Sequence, residues 1–115
     1  MYIKGDGVRM LHGNRNIDIT KNIRIIEWLK SELLTTIASL YEILLKGERE
    51  TQTVLIDILS NIIFVTYILG KRLGISFSRI DMKIEDKIRL GILENHKLED
   101  WHGDLSDLKQ HFDRR

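Results

Sequence analysis

The chain of 115 residues contains no cysteine and no proline. The absence of cysteine excludes disulfide bonds, thiolate metal sites and a cysteine nucleophile. It also fits a reducing compartment, so we expect a cytoplasmic protein. The absence of proline removes the residue that breaks helices most strongly, which leaves every segment of the chain free to be helical.

A strong net charge is also lacking, because 18 basic and 17 acidic side chains leave a formal charge of only +1. Proteins that bind nucleic acids or anionic membranes usually carry a basic excess, so the composition argues against both partners. Hydrophobic residues make up 43% and charged residues 30% of the chain, which is typical of a globular domain. The polar first sixteen residues have no apolar core of the kind that a signal peptide needs.

One apolar run, VLIDILSNIIFVTYILG at residues 54–70, resembles a membrane span at first sight. It falls short of the roughly 20 apolar residues that cross a bilayer. It also carries Asp57, Ser60 and Asn61 near its middle, and a carboxylate at that depth is costly in lipid. We therefore predict a helix buried in the centre of a bundle or at a subunit interface.

The spacing of apolar residues predicts an all-α fold, an antiparallel bundle of three to four main helices. Residues 1–17 hold three glycines among polar side chains, and we predict an N-terminal arm or loop there. The helical domain is predicted over residues 18–115. Its first helix is predicted to begin with a cap on Asp18 or Thr20 and to run to about Leu45.

The second helix is predicted to begin at Thr51 or Thr53 and to run through Leu73. Gly74 follows as a residue that can end it. A third helix is predicted from about Arg79 to Glu99. A short last helix is predicted from an apolar stripe made of Leu105, Leu108 and Phe112.

Polar side chains interrupt the apolar pattern of the first two helices. Glu32, Thr36 and Ser39 share one face of the first helix, because residues three and four apart lie on the same side. Asp57 and Asn61 are four apart on the second helix. If the two helices pack antiparallel, these two polar stripes can face each other across a cleft.

Such a cleft would contain the carboxylates Glu32, Glu42 and Asp57 beside the amide of Asn61. Facing carboxylates on bundle helices hold divalent metals in other proteins, and Mg²⁺ prefers oxygen ligands. We therefore predict these four residues as candidate Mg²⁺ ligands. The ordinary alternative is that the hydroxyls bond to the preceding helical turn and that the glutamates are solvated.

Three segments, taken in order, resemble the all-α nucleoside triphosphate pyrophosphohydrolases of the MazG family. They are YEILLKGE, LIDILSNIIFVTYILGKRLGIS and KIRLGILENHKLEDWHGDL. The resemblance extends over most of residues 20–104 and is to the small single-domain MazG-like group. It implies an all-α oligomer, a homo-dimer or tetramer, that binds a nucleoside triphosphate.

The resemblance also implies a reaction, the Mg²⁺-dependent cleavage of the triphosphate into a nucleoside monophosphate and pyrophosphate. Members of the family hold the metal with two acidic residues three apart on one helix, and a Glu and an Asp three apart on the next. Aligned through YEILLKG, the first pair falls on Thr36 and Ser39. Aligned through RLGI, the second pair falls on Ile58 and Asn61, so none of the four carboxylates is kept.

This departure leaves three alternatives open. Glu32, Glu42 and Asp57 could form a shifted Mg²⁺ site, or the fold could bind a nucleotide without hydrolysing it. The third alternative is a non-enzymatic helical module for oligomerisation or partner binding. Thr36 and Ser39 are assigned to the substrate side of the cleft.

Further candidate substrate contacts lie in the third segment. The resemblance implies that Lys87, Asn95 and Lys97 contact phosphate or close the site. The ordinary role of Lys87 is a solvated position on a helix face. Trp28 and Trp101 could stack on a nucleobase, but we expect both to pack in the core or at an interface.

Overall fold

The structure, a computed structural model, describes residues 12–47 and 51–114. These residues form five helices in chain order: α1 His12–Lys46, α2 Thr51–Arg72, α3 Phe77–Leu93, α4 Lys97–His102 and α5 Asp104–Asp113. Within the two described ranges there is no strand, and the prediction of an all-α fold is confirmed. The arm predicted for residues 1–17 falls mostly outside them, since the described part begins at His12.

The start of α1 differs from the prediction. The helix already includes His12, so Asp18 and Thr20 lie inside it and do not cap it. Gly13 is a weak helix former, but it does not stop a helix as proline does. The glycines of this segment therefore led to the wrong prediction of a loop up to residue 17. The end of α1 agrees with the prediction, because Lys46 is its last residue and Gly47 follows with a positive φ of 63°.

Both ends of α2 are predicted correctly. The helix ends at Arg72, and the amide of Gly74 donates to the carbonyl of Lys71 at 3.0 Å. Gly74 has a φ of 89°, a backbone conformation that residues with a Cβ atom rarely adopt. Lys71 and Arg72 lie in the last turn, where positive charge interacts favourably with the helix dipole.

The predicted third helix is divided into two. Its start is confirmed by Ser76, whose hydroxyl accepts the backbone N–H of Arg79 at 3.2 Å. Its predicted end at Glu99 is wrong, because α3 stops at Leu93. Asn95 has a φ of 53°, and asparagine is one of the few residues that enter this left-handed region readily. The chain then turns into α4, and α5 follows as a separate helix.

The described chain falls into two compact units, divided between Gly74 and Ile75. The first unit is an antiparallel hairpin of α1 and α2. Asn22, early in α1, donates to the backbone carbonyl of Arg72 at the end of α2, at 3.2 Å. The buried side chains of this unit are few: Leu29, Thr36, Ile58 and Val65.

Many large apolar side chains of the hairpin are exposed in the single chain. On α2, Ile56, Ile63 and Phe64 are 63%, 58% and 63% exposed. The helix Gln52–Arg72 is also long and apolar enough to cross a membrane by length and composition, and few of its residues are buried. The expectation that α2 is buried in the bundle centre is therefore not met within one chain, and burial at a subunit interface stays a prediction.

The second unit contains α3, α4 and α5, with the predicted stripe of the last helix on α5. Ile88 is buried on α3. A Cβ on Gly91 would lie 2.5 Å from Leu105 Cδ1, so the absence of a side chain at this position lets α5 approach α3 closely. Glu99 of α4 accepts the backbone N–H and the hydroxyl of Ser106 in the first turn of α5. These hydrogen bonds lower the pKa of Glu99 below its ordinary value.

Candidate functional site

The polar stripes predicted on α1 and α2 meet at one level of the hairpin. Asn61 Nδ2 lies 2.9 Å from Thr36 Oγ1 and 3.2 Å from Glu32 Oε2. An ionised carboxylate only accepts hydrogen bonds, so the amide nitrogen must be the atom of Asn61 that faces Glu32. We call these three side chains the Asn61 clamp, because a single amide of α2 bonds to two turns of α1.

Helical periodicity explains why these residues converge. Glu32 and Thr36 are four residues apart and therefore lie one above the other on α1. Thr36 is 8% exposed, the one polar residue among the buried side chains of the hairpin. On α2, Ile58 lies one turn before Asn61 and is also 8% exposed. The clamp thus lies against the apolar packing between the two helices, while Ser39, three residues after Thr36, is half-buried.

The other predicted carboxylates lie elsewhere on the hairpin. Asp57 is exposed, because it precedes the buried Ile58 and successive residues on a helix point about 100° apart. Glu42 is exposed and follows Glu32 by ten residues, which is about 15 Å along α1. In the part of the chain that the structure describes, no three acidic or histidine side chains are grouped closely enough to hold a metal ion.

The structure therefore does not bring Glu32, Glu42 and Asp57 together within one chain. It joins Glu32 to Asn61 and Thr36, which the sequence placed on facing stripes. The physical reason is that Asp57 and Glu42 project away from the face of each helix that packs. The assignment of each of these residues as a metal ligand stays a prediction.

The remaining predicted contacts all belong to the second unit. Lys87 is exposed on α3, and Asn95 is the left-handed residue that follows α3. Lys97 opens α4, and its Nζ lies 5.7 Å from the ring centroid of Trp101, within the range of a cation–π interaction. Trp101 is 66% exposed and Trp28 is 62% exposed, so neither ring packs in the core of the single chain, and packing at an interface stays a prediction.

One polar contact of the hairpin was not expected from the sequence. It is the pair of Asn22 and Arg72 at the end of α2. Asn22 Oδ1 and Arg72 Nε are buried there without a hydrogen-bond partner in the described chain. An asparagine inside a long helix, where it is a poor helix former, is the only signal in the sequence that pointed to this position.

A comparison with protein families matches residues 19–105 to the MazG-like family. The chain belongs to the MazG-like family. The match confirms the resemblance read from the three segments and covers α2, α3, α4 and most of α1. Comparisons with curated proteins and with solved structures gave no match.

Mg²⁺ is the metal that membership of the MazG-like family suggests, so the donors of the clamp can be tested against it. Mg²⁺ requires oxygen ligands in a nearly octahedral arrangement, and charged carboxylates hold it best. The clamp offers one carboxylate and one hydroxyl, and Asn61 directs its nitrogen toward both. Glu32 Oε2 and Thr36 Oγ1 each already accept an N–H of this amide, and one carboxylate supplies little charge, so these three residues alone do not fit a Mg²⁺ ion.

The contribution of the clamp to folding can be measured by replacing Thr36 with valine, which has the same shape but no hydroxyl. We expect Thr36→Val to lower the free energy of unfolding by about 1 kcal/mol, because one N–H of Asn61 loses its acceptor. Thr35→Val is the matched control, since Thr35 is exposed on the same helix. Denaturant unfolding measures both variants, and equal effects would contradict the role of the clamp.

Proposed function

We propose that this MazG-like protein binds nucleotides and does not hydrolyse nucleoside triphosphates with Mg²⁺. One observation carries the proposal. The Asn61 clamp occupies the level of the hairpin where the family resemblance implies metal-binding carboxylates, and the amide of Asn61 there donates to Glu32 and Thr36. Family membership supports a relation to nucleotide pyrophosphohydrolases, and the clamp argues against their reaction.

The chemistry of the reaction explains why uncharged residues at the four positions implied as carboxylates matter. Cleavage between the α and β phosphates requires cations that offset the charge of the triphosphate and activate a water molecule. Hydroxyl and amide groups without negative charge hold Mg²⁺ weakly. Thr36, Ser39 and Asn61 are such groups, and Ile58 offers no donor at all. These four positions of the α1–α2 hairpin therefore lack the negative charge that metal-assisted hydrolysis needs.

Nucleotide binding is proposed from the groups that remain. Lys87 and Lys97 supply ammonium groups that suit phosphate oxygens, and Asn95 supplies an amide. The exposed ring of Trp101 beside Lys97 offers an aromatic face next to a positive charge. A nucleobase can stack on such a face. We infer a cytoplasmic location, where nucleotides are abundant, from the absence of cysteine.

The proposal predicts binding without turnover. We expect no release of pyrophosphate from a panel of canonical and modified nucleoside triphosphates with Mg²⁺ or Mn²⁺. We expect calorimetry in EDTA to detect binding, which Lys87→Ala weakens several-fold and Lys46→Ala leaves unchanged. Lys46 is the matched control because it is an exposed lysine with no assigned role.

Two results would contradict this account of the function. Pyrophosphate release that Asp57→Ala abolishes would establish a shifted metal site that works. A complete lack of nucleotide binding in a folded sample would leave the non-enzymatic module as the function.

The exposed apolar surface of the hairpin favours self-association, whether or not nucleotides bind. Monomeric proteins rarely expose apolar patches as extensive as those on α1 and α2. We propose that a second copy of the chain covers this surface, in a homo-dimer or tetramer. A membrane is the weaker candidate, because Asp57, Ser60 and Asn61 interrupt the middle of α2.

Self-association can be tested by placing a charge on the apolar surface of α2. We expect Ile63→Lys to shift the protein from an oligomer to a monomer in sedimentation velocity, because burying an unpaired ammonium at an interface is costly. Gln52→Lys adds the same charge at an exposed polar position and should leave the oligomer intact. A wild-type protein that sediments as a monomer would overturn the proposal.

A further inference from the structure

We infer that the amide of Asn61 replaces a metal ion as the polar cross-link between α1 and α2, with Glu32 as its acceptor. The inference goes beyond the proposed function, because it concerns what joins the two helices and does not depend on nucleotide binding. It assigns Glu32 a positioning role: its carboxylate holds the amide of Asn61, and it is not a metal ligand.

The geometry of the clamp carries the inference. An asparagine amide has two N–H donors, and Asn61 directs its nitrogen to two acceptors on successive turns of the facing helix, at 2.9 Å and 3.2 Å. A cation between two helices would also join them, by binding oxygen atoms of both. The amide does so without any ion, and its bond to the carboxylate is charge-assisted.

The negative charge of Glu32 supports the same inference. Glu32 is half-buried, and a carboxylate removed from water needs a compensating donor or cation. Asn61 supplies that donor while remaining neutral. An aspartate in its place would put two carboxylates about 3 Å apart, where like charges repel strongly and a divalent ion would be required. The identity of residue 61 therefore decides whether the hairpin depends on a cation.

The inference is tested by thermal unfolding, followed by circular dichroism without nucleotide, in EDTA and in increasing MgCl₂ or MnCl₂ at constant ionic strength. We expect the wild-type midpoint to be unchanged by either cation. Asn61→Asp should unfold at a lower temperature in EDTA, and millimolar divalent cation should restore its midpoint toward the wild-type value. Asn61→Leu, which has neither donors nor charge, should be destabilised and should not respond to cations.

The matched control for added charge is Ser60→Asp, on the exposed neighbour of Asn61. It should neither lower the midpoint as Asn61→Asp does nor respond to Mg²⁺. If Asn61→Asp is unfolded in EDTA, recovery of its helical signal on addition of Mg²⁺ is the equivalent readout.

Three results would overturn the inference. A wild-type midpoint that rises with Mg²⁺ as much as that of Asn61→Asp would mean that the native residues bind the ion. An Asn61→Asp variant that no divalent cation restores would mean that a cation does not fit between these helices. Variants at position 61 that are as stable as the wild type would mean that the clamp does not join them. Because nucleotide is absent, none of these outcomes depends on the proposed function.

Discussion

The hydrogen bonds from Asn61 to Glu32 and Thr36 are the polar constraint on the register of the helical hairpin. Leu29, Ile58 and Val65 are the buried apolar side chains in the described part of the hairpin, and each contributes about 1.5–3 kcal/mol relative to an exposed position. Apolar contacts of this kind tolerate sliding of one helix along the other. A polar group that must find its acceptors does not, and it therefore fixes the register of the two helices.

The same constraint separates the family scaffold from the family chemistry. Residues 19–105 follow the MazG-like pattern, so the helices that frame the site are retained. At the centre of the hairpin, the four positions that the resemblance implies as carboxylates hold the uncharged residues Thr36, Ser39, Ile58 and Asn61. A hydrogen-bonded amide can maintain the spacing of two helices that a metal would otherwise hold, yet it cannot activate water.

The parts of the structure that were predictable follow from local rules. The glycines at positions 47 and 74 determine where α1 and α2 end, and helical periodicity placed Glu32, Thr36 and Asn61 on facing stripes. The division after α3 was not predictable, because Asn95 adopts a left-handed conformation that asparagine permits but does not require. Which carboxylate of the facing stripes joins the Asn61 clamp depends on the register of the hairpin. Asp57 is excluded because it lies one residue, about 100° of helix rotation, from the buried Ile58.

The second unit shows how short helices are stabilised without a large core. Glu99 accepts two hydrogen bonds from Ser106, and Gly91 leaves space for Leu105. Neither contact is visible as a periodic pattern, because each joins residues of different helices. Trp101 of this unit is exposed, and Ile88 is the one buried apolar side chain in the described part of the unit.

The central claim is that the clamp has replaced a metal site, and Mn²⁺ binding to the wild-type protein tests it most directly. Electron paramagnetic resonance distinguishes free Mn²⁺ from bound Mn²⁺ during a titration at neutral pH. The account predicts that the signal of free Mn²⁺ rises in proportion to the metal added, as it does in buffer alone. Stoichiometric loss of that signal, reversed by substituting Glu32 with glutamine, would contradict it.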